Sequence, residues 1–163
     1  TKNNFLVREG NYYSLSESAE TLIPYLSEKK AMLPVILIYI GNNKECFLYN
    51  RKKRPFKDKL SLPGGRPITG ESIATSTERI MKEKFNVNTR LKSLHSISIE
   101  NLKKNNKIIQ TDIIFFVSAT TKDKIQLKNI EKSKSKIITS DYLLIKNDLV
   151  KKISIKTINT TKI

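Results

Sequence analysis

The chain of 163 residues has one cysteine, Cys46. A single thiol excludes an internal disulfide framework and any multi-cysteine zinc site. Long apolar runs are missing too. The longest, Leu33 to Ile40, covers eight residues and contains Pro34, whereas a membrane-spanning helix needs about 20. Thr1 to Asn4 are polar and no apolar signal segment follows them, so the expected location is cytoplasmic. A first residue of threonine reads as the start of an excerpt. Acidic residues are scarce, 15 against 31 basic ones, for a net charge of +16. Two explanations stand side by side. A polyanionic partner would be attracted by such a surface. Equally, 25 of the basic residues are Lys and 6 are Arg, and abundant Lys, Ile and Asn are what an AT-rich genome encodes.

What is present suits one compact domain with a core of its own. Apolar residues make up 38% and charged residues 28%, which excludes collagen-like and long disordered chains. The first segment, residues 1–30, reads as a separate piece. Phe5 to Arg8 and Tyr12 to Leu15 look like strands around a turn at Glu9-Gly10-Asn11, and Ser16 caps a helix running to about Leu26. Residues 31–163 follow as a second unit. Val35 to Ile40 is β-rich, Gly41 to Lys44 a hairpin turn, and Cys46 to Asn50 the strand expected to pair back. Leu60 to Leu62 alternates like a strand that Pro63-Gly64-Gly65 breaks. A helix is expected from about Ser72 to Phe85, strands over Thr89 to Glu100 and Ile108 to Ala119, and a last helix over Asp141 to Lys152.

The stretch that carries chemistry runs from Leu62-Pro63-Gly64-Gly65 through Glu71 to Arg79 and Glu83. Glu71 follows Gly65 after five residues, and Arg79 follows Glu71 after seven. Met81, Glu83 and Val87 continue the pattern. In order and spacing this resembles the box of the Nudix (MutT-like) hydrolase family. The resemblance implies an α/β fold, the Nudix α/β/α sandwich with a mixed sheet and the box helix on one side. It also implies a nucleotide-like, diphosphate-linked ligand and Mg²⁺ held by glutamates. It makes Glu83 the catalytic and metal-binding candidate, Arg51, Arg66 and Lys84 the phosphate binders, and Gly64, Gly65, Glu71 and Arg79 the residues that shape the box.

The departures are large. Three box positions that carry glutamate in the family are here Ile80, Glu83 and Lys84. Mg²⁺ takes oxygen ligands; isoleucine offers none and an ammonium repels the ion. The glycine late in the box is Asn86, which also tolerates left-handed backbone. Ala74, Thr77, Met81 and Phe85 are expected to face the core, leaving Ile80, Glu83 and Lys84 towards the groove. Three functions remain open. The groove binds a nucleotide-like ligand without hydrolysing it, Lys84 standing where a metal would. Or it is a divergent pyrophosphohydrolase that recruits Glu100 or Asp112 as metal ligands. Or it serves only packing, for instance in a homodimer formed across an exposed sheet edge.

Other candidates are weaker. Arg51-Lys52-Lys53-Arg54 could hold phosphates or lie in solvent. His95, alone on a predicted strand, reads as an ordinary polar residue, Cys46 as a small packed side chain, and Tyr12, Tyr13 and Tyr25 as packing aromatics. Finally, Asn11 to Leu26 resembles the wing and following helix of winged-helix regulators of the HxlR and MarR types. That implies DNA as a partner through a region upstream of Thr1, and a ligand-sensing role in a transcription regulator.

Overall fold

The computed structural model describes residues 6–10, 12–15, 31–52 and 56–153. In the first segment β1 (Leu6–Glu9) pairs antiparallel with β2 (Tyr12–Leu15), turning through Gly10 at φ +65°. The helix expected from Ser16 to Leu26, the boundary at residue 30 and Tyr25 lie outside the described residues. The second segment runs β3 (Leu33–Tyr39), β4 (Glu45–Phe47), β5 (Tyr49–Asn50), β6 (Leu60–Ser61), β7 (Gly64–Gly65), α1 (Ile73–Phe85), β8 (Arg90–Lys104), β9 (Lys107–Thr120), β10 (Leu127–Asn129), α2 (Ile130–Ser133) and α3 (Thr139–Asp148).

The main sheet has the order β7-β3-β9-β8. β3 runs parallel to β9, while the β7–β3 and β8–β9 pairs are antiparallel, so the sheet is mixed. Its long hairpin turns at Asn105 and Asn106, both at positive φ, a conformation asparagine adopts more readily than most side chains. β8 is left as an edge strand, with Ile97 and Ile99 exposed.

Residues alternate across each strand, so the sheet buries two faces. Ile36, Ile38 and Val117 pack with Ile80 and Met81 of α1. Leu37, Tyr39, Ile114 and Phe116 pack on the opposite face with Leu60, Leu62, Ile130, Leu144 and Ile145. Helices on both faces of a mixed sheet make the expected α/β/α sandwich. α1 begins where the sequence says it should. The Ser72 hydroxyl accepts from the Thr75 amide and the Thr75 hydroxyl accepts from the Ser72 amide, a reciprocal cap. It ends at Asn86, left-handed at φ 54°, whose amide donates to the Lys82 carbonyl.

Three expectations need correction. Cys46 to Asn50 does not pair back along β3. Only a bridge at Gly41–Cys46 and a bond from Phe47 N to Ile40 O follow the turn. The strand then splits, β4 pairing with β10 and β5 with β6. Gly64-Gly65 does not merely break a strand; it forms one, paired with Leu37 and Ile36. The last helix starts at Thr139 and ends at Asp148, not Lys152. Among the described residues no helix is long and apolar enough to cross a membrane.

Phe116 is fully buried at the centre of the sheet. Phe116→Ala should cost about 3–5 kcal/mol and lower Tm by roughly 10–15 °C. Calorimetry checks this; a fall under about 5 °C would mean that the core on that face collapses into the space left behind.

Candidate functional site

The site starts from one ion pair. Arg79 Nε donates to Glu71 Oε1 at 2.6 Å and Arg79 Nη2 to Glu71 Oε2 at 2.9 Å. Ser76 Oγ donates to the same Oε2 at 2.6 Å, and Arg79 Nη2 also reaches the Arg66 carbonyl at 3.0 Å. The Arg79 guanidinium, with the Ser76 hydroxyl, holds the Glu71 carboxyl down at about 2. A two-pronged arginine–carboxylate pair fixes direction as well as distance. It ties the 66–72 loop to the second turn of α1 and so fixes where β7 lies.

A side chain would not fit at Gly64, and at Gly65 its neighbours would have to give way. A Cβ on Gly64 would fall 2.7 Å from the Ile36 carbonyl oxygen, which is backbone and has no room to give. A Cβ on Gly65 would lie 3.0 Å from Ile80 Cγ1 and 3.2 Å from Lys84 Nζ. Ile80 therefore does not face an open groove as expected. It is 1% exposed, beneath Gly65 and among Ile36, Ile38 and Met81. The physical reason is its place on the helix, three residues after Thr77 and one before Met81, so an apolar side chain there widens the buried stripe. Ala74 and Phe85, expected in that stripe, are only half-buried. One turn on from Ile80, Lys84 Nζ donates to the Gly64 carbonyl at 2.6 Å. An ammonium thus sits beside β7, on backbone that offers no side-chain shield.

A cavity of about 410 Å³ opens here. Its floor crosses the main sheet: Gly64 and Gly65 from β7, Val35 and Leu37 from β3, Asp112 and Ile114 from β9, Glu100 and Leu102 from β8. Arg51, Arg66 and Lys84 gather at the β7 side, and Arg51 lies over the Phe56 ring at 5.8 Å. The lid is α3, through Ser140 and Asp141. Asp141 is 3% exposed, and its Oδ2 accepts from Ser61 Oγ at 2.9 Å and Leu62 N at 2.8 Å. Burial pushes its carboxyl up to about 6, helped by the Glu100 charge and opposed by those two bonds and Arg51.

The structure thus brings Gly64, Gly65, Arg51, Arg66 and Lys84 to one cavity. Glu83 is not among its lining residues. Its side chain is 60% exposed and pairs with Arg79 at 3.3 Å. Glu100 and Asp112, cross-strand partners, do line it. Asp141 was missed as a site residue; the sequence offered only a charge near a helix start. His95 is buried, its ring nitrogens bonded to the Lys151 carbonyl and Ser118 Oγ. Cys46 is packed in the core and burial pushes its thiol up to about 12. Lys53 and Arg54 lie outside the described residues.

The donors do not fit Mg²⁺. That ion asks for near-octahedral oxygen ligands. Among the described residues no three Asp, Glu, His or Cys side chains group as a metal site. Glu83 is turned to Arg79, and a lysine ammonium already holds the Gly64 carbonyl.

No family model and no curated protein matches the chain. Solved structures do. A NUDIX hydrolase from Nitrosomonas europaea matches at TM-score 0.57 with 17% identity, over 69% of this chain and 80% of that one. The NUDIX domain of Shewanella oneidensis NrtR, complexed with ADP ribose, matches at 0.57 with 16% identity, over 81% and 96%. A MutT protein from Bacillus halodurans matches at 0.54 with 19% identity, over 71% and 81%. The chain has the Nudix hydrolase fold.

Two carboxylates set opposite pH dependences. Glu71, lowered from 4.5 to about 2, contributes stability present above pH 4.5 and lost as pH falls towards 2. Asp141, raised from 3.8 to about 6, contributes stability present below 3.8 and lost as pH rises through 6. Glu71→Gln should lower Tm at pH 7 by roughly 5 °C or more and weaken the acid-side loss. Asp141→Asn, which keeps an acceptor for Ser61 and Leu62, should raise Tm at pH 7.5 and remove the gain seen on acidifying to pH 5. Melting curves from pH 2 to 8 check both; an unchanged pH profile in either variant refutes its assignment.

Proposed function

We propose that this Nudix-fold unit binds a nucleoside-diphosphate-linked ligand without hydrolysing it. The observation that carries this is the 2.6 Å bond from Lys84 Nζ to the Gly64 carbonyl. Hydrolysis of a diphosphate at such a site calls for a metal that neutralises the phosphates and activates water. A lysine supplies the first service and not the second. With Arg51 and Arg66 it presents three positive charges along the β7 side of the cavity, and arginine forks match phosphate oxygens. The two glycines let phosphate approach the backbone closely. The ADP ribose carried by the Shewanella oneidensis NUDIX domain supports this ligand class.

The finer reading is that the unit is the sensor of a transcription regulator, with DNA held by a region upstream of Thr1. The β1–β2 hairpin supports it, since a winged-helix protein carries its wing there.

Titration calorimetry with ADP-ribose tests the proposal, once with EDTA and once with Mg²⁺. Affinity should agree within about twofold between the two, and Lys84→Ala should weaken it about tenfold or more. Chromatography of the same mixtures should show no product. Turnover with Mg²⁺, or binding that needs the metal, would establish the divergent pyrophosphohydrolase instead.

A further inference from the structure

A second cavity, of about 730 Å³, adjoins the first and shares Tyr49, Arg51 and Lys84 with it. Asn50, Lys52 and Phe85 complete its lining. Cations and aromatic rings line it and no carboxylate does, whereas Glu100, Asp112 and Asp141 all line the first. Tyr49 and Phe85 meet edge to face with centroids 5.1 Å apart, and both are half-buried.

The alternation of cation and ring continues beyond this cavity. The Arg51 guanidinium lies over the half-buried Phe56 ring at 5.8 Å. The Arg51 amide donates to the Lys59 carbonyl at 2.9 Å, which sets Lys59 across from it. Lys59 Nζ donates in turn to the Ser135 carbonyl at 3.2 Å. The neighbour of Ser135, Lys134, holds its Nζ over the half-buried Tyr142 ring at 5.1 Å. A track of cations and rings thus runs from α1 to α3, although its residues are scattered in the sequence between positions 49 and 142. Acids do little to cancel it. Asp58 is exposed in the turn before Lys59, and Glu131 is taken by Lys146 at 2.8 Å.

We infer that this track is a docking surface for a single-stranded nucleic acid. Its phosphates meet Lys84, Arg51, Lys52, Lys59 and Lys134, and its unpaired bases stack on the rings between them. The net charge of +16 attracts such a chain from a distance. Charge alone would suit any polyanion; the rings decide between them. A duplex keeps its bases stacked inside and leaves the rings unused, whereas every unpaired base offers a flat face. The inference goes beyond the ligand reading and does not rest on it, since Lys52, Phe56, Lys59, Lys134 and Tyr142 have no part in that reading.

Fluorescence anisotropy of a labelled strand of about 12 nucleotides, as RNA and as DNA, tests it on the whole chain at neutral pH with EDTA. Each strand is offered single and as a duplex, over about 50 to 200 mM salt. A single strand of either kind should bind about fivefold or more tighter than its duplex. The logarithm of affinity should fall against the logarithm of salt with a slope of about −3.5, since each of the five cations contributes about 0.7. Lys59→Gln combined with Lys134→Gln, both exposed, should make that slope shallower by about 1.4 and leave ADP-ribose binding unchanged. Tyr142→Leu should weaken single-strand binding about fivefold or more at an unchanged slope. Phe56→Leu asks the same question if Tyr142→Leu misfolds. A duplex bound as tightly as the single strand, or rings removed without loss, would leave charge alone and overturn the inference. So would the absence of binding at the lowest salt, or tighter binding to phosphatidylserine vesicles than to either strand. The ligand reading is decided separately, by ADP-ribose.

Discussion

At Gly64, β7 lies against β3 at a distance that admits no side chain. The hydrogen of Gly64 is all that fits over the Ile36 carbonyl oxygen. The two glycines pair with Leu37 and Ile36 as a strand and line the cavity. The Glu71–Arg79 pair acts on the same feature from the other side, binding the loop after β7 to α1. Together they set the height of α1 over the sheet, and so the reach of Lys84 to Gly64. Had any side chain stood at position 64, β7 would be pushed off β3, and the cavity with its basic end would not form.

The sequence carried the parts of this that are local. Glycine–glycine after a proline, a carboxylate six residues on and an arginine eight further specify a loop clasped to a helix, whatever chemistry follows. The helix was legible from about Ser72 to Phe85, and Asn86 marked its end through left-handed tolerance. Both strands of the long hairpin were legible, but the turn read over Asn101 to Lys107 is shorter, since β8 stays paired to Lys104. What escaped was decided at long range. The split of Cys46 to Asn50 between two partners depends on Leu127 to Asn129 and on Leu60, far away in the chain. Ile80 went to the core because the space under Gly65 was apolar, which no window of sequence reveals. Asp141 lies 79 residues from the Leu62 amide it accepts from, so its membership of the site could not be read from a helix start.

Isoleucine and lysine at positions 80 and 84 do more than omit the carboxylates of the box that the sequence resembles. A glycine strand whose carbonyl faces a cavity leaves a backbone dipole that a cation can meet. Lys84 answers that: its charge meets the Gly64 carbonyl directly. Ile80 answers the other vacancy by filling it with buried surface, and each buried methylene there contributes about 0.8 kcal/mol. The two residues compensate in different currencies, one electrostatic and one by packing. A helix that had merely decayed would be expected to leave an unfilled hole or an unpaired polar group, and neither Ile80 nor Lys84 leaves one.

The cost of Asp141 argues in the same direction. A carboxyl held up at about 6 is a charge the fold carries at a loss at neutral pH. Ser61 and the Leu62 amide, both on one oxygen, and the Arg51 charge compensate it in part. An asparagine would satisfy both without burying a charge. Stability alone therefore gives no reason for aspartate here, and its position in the first turn of α3, within reach of the Arg51 and Glu100 charges, gives a reason of another kind. A buried carboxylate set between a guanidinium and a second carboxylate keeps polar surface beside the cavity that packing alone does not require.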